Sequence, residues 1–380
     1  MKRLLTLLLL LAGLTAAAQN SSKYEHFKEL RDESDTLGMK QMLENWGKED
    51  PEYYSAWANY CQVMGELTED ENWPVMATNW VKMGRDEFPD DTLLLYKMAE
   101  VYFNNGQMRE ALPVLEEIEE KGLGDVMTWF YLHSIYGLKE DLEKSRHYLN
   151  KMVEDGGEDE RAYATEVLES YAEFDRLADS LTIYPDHDAI RAFAKTPAFQ
   201  ELTTRFEACD TTLTLQEIAT LYYGSSYLKD YNDVQQECDD IRTLAEEEKF
   251  QEAKEALQEK LKKYPVSLFV LISLFNLTED EEELMPYVWK ARQILTVIDN
   301  TGRVYNPERP FQVICINDEY MALQQILRMK QFQSQALVET KDGPLDKMTF
   351  LNEYDLDQTV YFRITPPYWE RLNSLFPDNE

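Results

Sequence analysis

The chain has 380 residues, of which 44% are hydrophobic and 29% are charged, so it can form two domains or one extended solenoid around an apolar core. Its formal net charge at pH 7 is −34, and such an acidic surface repels the phosphates of nucleic acids and anionic lipid headgroups. Nucleic-acid binding and peripheral membrane binding are therefore disfavoured.

Residues 1–19 have the pattern of a secretory signal peptide. Lys2 and Arg3 form a basic start, residues 4–14 are an apolar core too short to span a bilayer, and residues 16–18 supply small side chains for cleavage. No cysteine follows the apolar core, so the lipid-attachment signal of bacterial lipoproteins is missing. We expect an exported protein of a Gram-negative bacterium, periplasmic or secreted and not a lipoprotein.

Residues 93–124 contain the pattern that the first half of the chain repeats. They predict two amphipathic helices joined by a tight turn at Asn105 and Gly106. The apolar positions of the two faces are Leu95, Ala99 and Tyr102 on the first helix and Ala111, Leu115 and Ile118 on the second. Such a unit cannot bury its apolar face alone, so it must stack on copies of itself.

Copies of this unit lie on both sides, at a step of about 34 residues. The equivalent positions of the flanking copies are Trp57, Cys61, Met64, Ala77 and Val81 before it and Trp129, Tyr136, Ser145, Leu149 and Met152 after it. A loop insertion at residues 68–72 separates the helices of the earlier copy. Residues 22–45 predict one or two helices, interpreted as the second helix of a degenerate first repeat, and residues 160–183 continue the helical periodicity.

These positions resemble the tetratricopeptide (TPR) family, whose repeat carries Trp, Leu-Gly and Tyr on its first helix and Ala, an aromatic, Ala and Pro on its second. His133 and Ser145 depart from that pattern, because the family has Gly or Ala at the first position and Ala at the second. The resemblance implies a TPR-like α-solenoid over residues 20–186 whose groove binds a peptide or protein. It transfers no binding residues, since the family binds through variable positions.

The second domain, residues 187–380, is expected to be α-helical with a small antiparallel β-sheet near its end. A helix pair in residues 189–206 is followed by a helix near Thr214, with Glu217 as the acid of a capping box. Ile241, Leu244, Ala253 and Leu257 repeat the TPR-like spacing, so this domain embeds one such helix pair. Alternating apolar residues then predict strands between about 335 and 365.

Three stretches of this half are similar to an uncharacterised domain family of exported bacterial proteins. The stretches are TLTLQEIATLYYG at residues 212–224, VICINDEYMAL at 313–323 and TVYFRI at 359–364. The resemblance covers roughly the half of the chain after Ala189. It implies no activity, because the family is described only as a domain of unknown function.

The densest polar and aromatic cluster of the second half is the candidate site, and its members are Arg303, Tyr305, Arg309, Asp318, Glu319 and Tyr320. Two interpretations stay open. The favoured one is structural, with Asn317 or Asp318 capping a helix and ion pairs fixing the loop. The other is a pocket at the junction of helices and sheet. No catalytic, cofactor-binding or metal-binding residue is assigned.

Four weaker motifs have ordinary structural interpretations. Ser226 and Lys229 have the S-x-x-K spacing of serine acyl-enzymes, but the accompanying elements are missing. The acidic runs 155–160 and 280–283 lack the spacing of a calcium loop, so calcium stays an unsupported alternative. A disulfide between Cys209 and Cys238 is left open. The four histidines, His26, His133, His147 and His187, form no metal-ligand motif.

Two functions follow from these patterns. The favoured one is an exported scaffold without a cofactor that binds a neutral or basic peptide or protein partner in its helical groove. The alternative is an enzyme or small-ligand-binding protein with a site near residues 303–320. The missing catalytic motifs favour the first, so we do not expect an enzyme.

Overall fold

The computed structural model describes residues 22–228 and 239–375. This part of the chain is mostly helical (66%), with 18 helices and one small four-stranded sheet, which confirms the predicted fold class. The predicted signal segment, Lys229 and Cys238 lie outside the described residues. Contacts divide the described chain into two compact units. Unit 1 comprises residues 22–171 and Tyr354–Leu356, and unit 2 comprises residues 172–353 and 357–375 apart from the undescribed segment.

Unit 1 is built from successive antiparallel helices. They are α1 (Ser22–Asp32), α2 (Thr36–Glu44), α3 (Pro51–Thr68), α4 (Asn72–Glu87), α5 (Thr92–Asn104), α6 (Met108–Glu120), α7 (Val126–Leu138), α8 (Leu142–Asp155) and the first part of α9 (Glu158–Leu181). Helices α3 and α4, α5 and α6, and α7 and α8 pack as pairs, and each pair contacts the next. The first helices α3 and α5 also pack on each other.

The predicted inward positions of the second and third pairs are buried, whereas Trp57 and Met64 of the first pair are half-buried. Leu95, Ala99, Tyr102, Ala111, Leu115, Ile118, Trp129, Tyr136, Leu149 and Met152 all belong to one hydrophobic cluster. Gly106 makes the turn between α5 and α6 with a φ of +72°, a left-handed conformation that costs glycine nothing in sterics. The small side chains of Ala99 and Ala111 are fully enclosed, which lets the two helices approach closely.

Aspartates begin most of the helices in unit 1. The side chains of Asp50, Asp91, Asp125 and Asp141 accept hydrogen bonds from backbone N–H groups in the first turns of α3, α5, α7 and α8. Such caps satisfy donors that the helix leaves unpaired and place negative charge at its positive end. Part of the acidic composition is therefore structural.

Unit 2 contains the remaining elements. They are the end of α9, α10 (His187–Phe193), α11 (Pro197–Glu207), α12 (Leu215–Ser225), α13 (Asp239–Glu246), α14 (Phe250–Lys263), α15 (Leu268–Leu277), α16 (Glu281–Asp299), β1 (Phe311–Val313), α17 (Ile316–Gln325), β2 (Gln331–Thr340), β3 (Gly343–Leu351), β4 (Asp357–Ile364) and α18 (Pro366–Leu375). The capping box predicted at α12 is present, because Thr214 and Glu217 exchange both hydrogen bonds.

The sheet of unit 2 has the strand order β1-β4-β3-β2. Strands β2, β3 and β4 are antiparallel neighbours, as the alternating pattern predicts. Strand β1 joins β4 in parallel, with Phe311 opposite Phe362, and the sequence did not predict this pairing. Val360, Phe362 and Ile364 of β4 are buried in the core. Phe362 lies in the same hydrophobic cluster as Tyr222 and Tyr223, which end the buried face of α12.

In the described ranges, no helix has the length and apolar character that crossing a bilayer requires.

Candidate functional site

The structure distributes the six predicted site residues over three separate sets of contacts. Arg309 forms an ion pair with Asp179, with 2.7 Å between Nη1 and Oδ1, and it also donates to the Thr182 hydroxyl. The backbone N–H of Arg303 donates to the Arg309 carbonyl at 2.8 Å, which closes the loop before β1. Burial, followed by the nearby Arg309 charge, lowers the pKa of the Arg303 guanidinium. This set fixes a loop, as the structural interpretation predicts.

Tyr305 ties the same loop to β4. Its backbone N–H donates to the Thr359 carbonyl at 3.0 Å, and its hydroxyl donates to the Asp357 carbonyl at 2.7 Å. The residue has a φ of +59°, the left-handed region that residues with a Cβ adopt rarely. The two hydrogen bonds to β4 offset that conformational cost.

Asp318 belongs to the core of unit 2. Helix α17 begins after Cys315 without a side-chain cap, so the capping role suggested for Asn317 or Asp318 is wrong. Asp318 is buried, and the Tyr222 hydroxyl donates to its Oδ2 at 2.6 Å. The same hydroxyl accepts from the backbone N–H of Ile314 at 3.3 Å. Asp318 therefore connects α12, the end of β1 and α17.

Glu319 is fully buried beside a second acid, Asp346 of β3. Burial and the neighbouring Asp346 carboxyl raise the pKa of Glu319 well above its usual range. As a carboxylate, Glu319 finds no donor for either oxygen among the described residues. Once protonated, its hydroxyl can donate to Asp346, since two carboxyl groups share a hydrogen bond only when one holds a proton. The geometry and the pKa shift both indicate a neutral acid in the core.

Tyr320 faces a different neighbourhood from its two acidic neighbours. Its hydroxyl donates to the Gln335 side chain at 3.1 Å, and its ring centroid lies 5.8 Å from that of Phe332 on β2. Burial raises the pKa of its hydroxyl. The six residues therefore have three separate structural roles. Arg303, Tyr305 and Arg309 fix a loop. Asp318 and Glu319 are buried acids with different partners, and Tyr320 contacts β2.

A cavity of about 710 Å³ lies elsewhere in unit 2, between α10, α11 and α12. Its lining residues are Tyr184, Asp186, Ala189, Ile190, Phe193, Ala198, Glu201, Leu202, Arg205, Thr214, Gln216, Glu217 and Thr220. The volume is within the range of small-molecule pockets, roughly 300–1,000 Å³. Sequence reasoning missed this site, because its residues come from three helices and form no motif. The one sequence motif within its lining is the predicted capping box of Thr214 and Glu217.

The cationic side chain of this cavity is held by partners of its own. Arg205 donates from Nε to Asp210 and from Nη1 to Glu217, both at 2.8 Å. Hydrogen bonds from Thr212 and then Arg205 lower the pKa of Asp210 to about 2, and hydrogen bonds from Thr214 and Arg205 lower that of Glu217. The guanidinium is therefore compensated by two carboxylates.

Unit 1 contains a line of hydrogen-bonded polar side chains that crosses three helices. The Tyr24 hydroxyl lies 2.8 Å from the Ser55 hydroxyl, and Asn59 Nδ2 donates to the Tyr24 oxygen at 3.3 Å. Lys97 Nζ donates to Asn59 Oδ1 at 2.7 Å and to Glu100 Oε2 at 2.5 Å. These five residues, which we name the polar line, connect α1, α3 and α5.

The remaining motifs have structural surroundings. Ser226 is buried and donates to the Tyr223 carbonyl at 2.7 Å, while Asp280 caps α16 by accepting from the backbone N–H of Glu283 at 2.9 Å. His133 is buried with Nε2 3.0 Å from the Tyr163 hydroxyl, and burial lowers the pKa of its imidazole to about 4. Among the described residues, no group of three acidic, histidine or cysteine side chains could hold a metal ion.

Comparison with known families identifies one domain. Residues 186–372 match the model of a family described as a domain of unknown function (DUF4919). The matched range includes the six predicted site residues and all of the cavity except Tyr184. No curated protein matches the chain.

Proposed function

We propose that this protein is an exported, TPR-like scaffold that binds a neutral or basic peptide or protein partner along the first helices of its helix pairs. The polar line is the observation that carries the proposal. Asn59 and Lys97 are buried between α3 and α5, where apolar side chains would stabilise the helix contact at least as well. Buried polar groups in such a position contribute to conformational specificity more than to stability, and the line ends at the partly exposed Glu100, where a partner can bind.

The polar line retains capacity for a partner. An ammonium group has three N–H donors, and among the described residues Lys97 bonds two acceptors, Asn59 and Glu100. Lys97 itself is buried, so a partner would reach the polar line at Glu100 rather than at the ammonium group. The Glu100 side chain is 27% exposed, so its carboxylate can also attract a positive group. Because α3 and α5 pack side by side, a peptide lying across them would meet both helices.

Charge and export support the same function. A net charge of −34 favours the approach of a neutral or basic partner and disfavours an acidic one. The signal-peptide pattern of residues 1–19 supports an encounter outside the cytoplasm. Catalysis near residues 303–320 is not proposed, because those residues are bound to separate structural neighbours.

Affinity capture from an envelope extract tests the proposal. The bait proteins are the wild type, the double variant Lys97→Met/Glu100→Gln, and Lys121→Met. Lys121 is a matched control, since it also pairs with a nearby glutamate, Glu117, but lies at the end of α6. We expect one partner at near-stoichiometric amounts on the wild type and the control, and at least about tenfold less on the double variant.

Two outcomes would contradict the proposal. One is the recovery of no stoichiometric partner at several salt concentrations. The other is equal capture by the double variant, provided that circular dichroism shows it folded. A captured partner should also be released by added salt, because attraction between exposed charges is screened within about 10 Å at 0.1 M ionic strength.

A further inference from the structure

The cavity between α10, α11 and α12 combines an apolar floor with a negatively charged rim. Ile190 and Leu202 are buried at its floor, and the side chain of Phe193 is half-buried beside them. Tyr184 is 71% exposed at the rim, so its aromatic side chain is accessible to a ligand that enters the cavity. This combination of an apolar body and a few polar groups is typical of small-molecule sites.

The charges that remain free at this cavity are negative. Glu201 lines it from α11, and within the described ranges its carboxylate takes part in no ion pair or hydrogen bond. Asp186 lines it from the start of α10, where one of its oxygens accepts from the backbone N–H of Ala189 at 3.0 Å. Glu217 is also present, but both of its oxygens already accept hydrogen bonds from Arg205 and Thr214.

An anionic ligand does not fit this arrangement. Arg205 is the cation of the lining, and its guanidinium already binds Asp210 and Glu217, with a further bond to the Thr212 hydroxyl at 3.2 Å. An anion would have to displace one of these carboxylates and would then face Glu201 and Asp186. A cation would meet two carboxylates and the face or edge of the Tyr184 ring.

We propose that this cavity binds a small organic cation with an aromatic or branched aliphatic body. The body would occupy the floor formed by Ile190, Phe193 and Leu202, and the positive group would lie at the rim near Glu201. A volume of about 710 Å³ accommodates a molecule of this kind with room for water. The site lies within unit 2, whereas the polar line lies within unit 1.

Three probes of one shape separate the contributions of charge and apolar contact. They are phenethylammonium, phenethyl alcohol and hydrocinnamate, which carry a positive, a neutral and a negative group on the same ring and chain. Each is titrated into the full chain and its affinity measured by NMR. We expect the cation to bind about tenfold more tightly than the anion, with the alcohol between them. Added salt should weaken binding of the cation and leave that of the alcohol unchanged.

Variants on α11 locate the binding. Glu201→Gln keeps the shape of the side chain and should lower the affinity for the cation about three- to tenfold without changing that for the alcohol. Glu207→Gln is the matched control, an exposed glutamate of the same helix outside the cavity, and should change neither affinity. Ala198→Trp fills the cavity from an exposed position and should abolish binding of all three probes.

Three results would overturn the proposal. The first is equal or tighter binding of hydrocinnamate, and the second is an unchanged affinity for the cation in Glu201→Gln. The third is no binding of phenethylammonium up to its solubility in protein that circular dichroism shows to be folded. Because the glutamine variants alter exposed side chains, loss of folding does not confuse their interpretation.

Discussion

The two units bury titratable groups of opposite kinds. In unit 1, His133 is enclosed among helices, and burial lowers the pKa of its imidazole. In unit 2, Glu319 is enclosed between α17 and the sheet, and burial raises the pKa of its carboxyl. Desolvation favours the neutral form of both groups, yet one is a base and the other an acid. The stability that His133 contributes should therefore be lost as pH falls, and the stability that Glu319 contributes should be lost as pH rises.

The largest expected effects come from removing core volume in either unit. Leu115 on α6 and Leu323 on α17 are both fully buried leucines in helices, so Leu115→Ala and Leu323→Ala should each cost about 2–5 kcal/mol. Native-state hydrogen exchange of the full chain can assign each loss to a unit. We expect the greater loss of protection inside the unit that carries the substitution.

Exposed leucines provide the controls for these substitutions. Leu37→Ala in unit 1 and Leu337→Ala in unit 2 replace side chains that are 65% and 55% exposed, and each should change stability by no more than about 0.5 kcal/mol. If the core variants lowered protection equally in both units, the two cores would not be separate.

The second effect is the acid sensitivity of unit 1. The pKa of His133 is about 4 in the folded chain and 6.5 when unperturbed, so the unfolded state binds the proton first as pH falls. The stability that the neutral imidazole contributes is complete above pH 6.5 and is lost between there and pH 4, a change on the order of 3 kcal/mol.

The variant His133→Gln should remove this part of the pH dependence, as measured by hydrogen exchange of α7 between pH 7 and pH 4. His26→Gln is the control, because His26 is exposed on α1 and its loss should leave the pH dependence of α7 unchanged. Identical pH profiles for wild type and His133→Gln would show that the imidazole is not buried as described.

The third effect is the opposite pH dependence in unit 2. The folded pKa of Glu319 lies above its unperturbed value of 4.5, so the folded state holds the proton longer as pH rises. The stability that the neutral acid contributes is present below pH 4.5 and falls above it by up to about 1.4 kcal/mol per pH unit, until the folded pKa is passed.

The variant Glu319→Gln keeps a neutral side chain at every pH and can still donate to Asp346. Its β3 amides should therefore be better protected than those of the wild type at high pH, and the difference should shrink as pH falls. Hydrogen exchange of β3 at several pH values measures this. A greater loss of protection in the variant at high pH would contradict a neutral Glu319.

The smallest effect compares helix caps in the two units. Asp91 caps α5 in unit 1 and Asp280 caps α16 in unit 2, each through one side-chain oxygen. Asp91→Ala and Asp280→Ala should each cost about 1 kcal/mol in urea unfolding, whereas Asp→Asn at the same positions should cost little. Unequal costs would show that one of the two helix starts is stabilised by other contacts.

The sequence predicts the fold of unit 1 more completely than that of unit 2, for a physical reason. The positions of Ala99, Ala111 and Leu115 follow from helical spacing within about 34 residues, because each repeat packs on its neighbours in the chain. The parallel pairing of β1 with β4 joins residues about fifty positions apart, and no local pattern records it.

Prediction of the candidate sites from the sequence is limited for the same reason. Sequence proximity grouped Asp318, Glu319 and Tyr320, but consecutive residues of a helix point in different directions, and their partners lie on α12, β3 and β2. The cavity residues Tyr184 and Glu201 were missed because an exposed tyrosine and an unpaired glutamate are ordinary until three helices bring them together. Whether a side chain is buried and which partner it pairs with depend on the tertiary structure. The sequence alone therefore could not predict the contacts of the six site residues or the position of the cavity.

Hydrogen exchange of the captured complex tests partner binding along the polar line most directly. The partner recovered from the envelope extract is purified, mixed with the full chain, and compared with the free protein. Slower exchange on α3 and α5, lost with Lys97→Met/Glu100→Gln and kept with Lys121→Met, is the expected result. Protection confined to unit 2, or protection of α3 and α5 that the double variant retains, would contradict it.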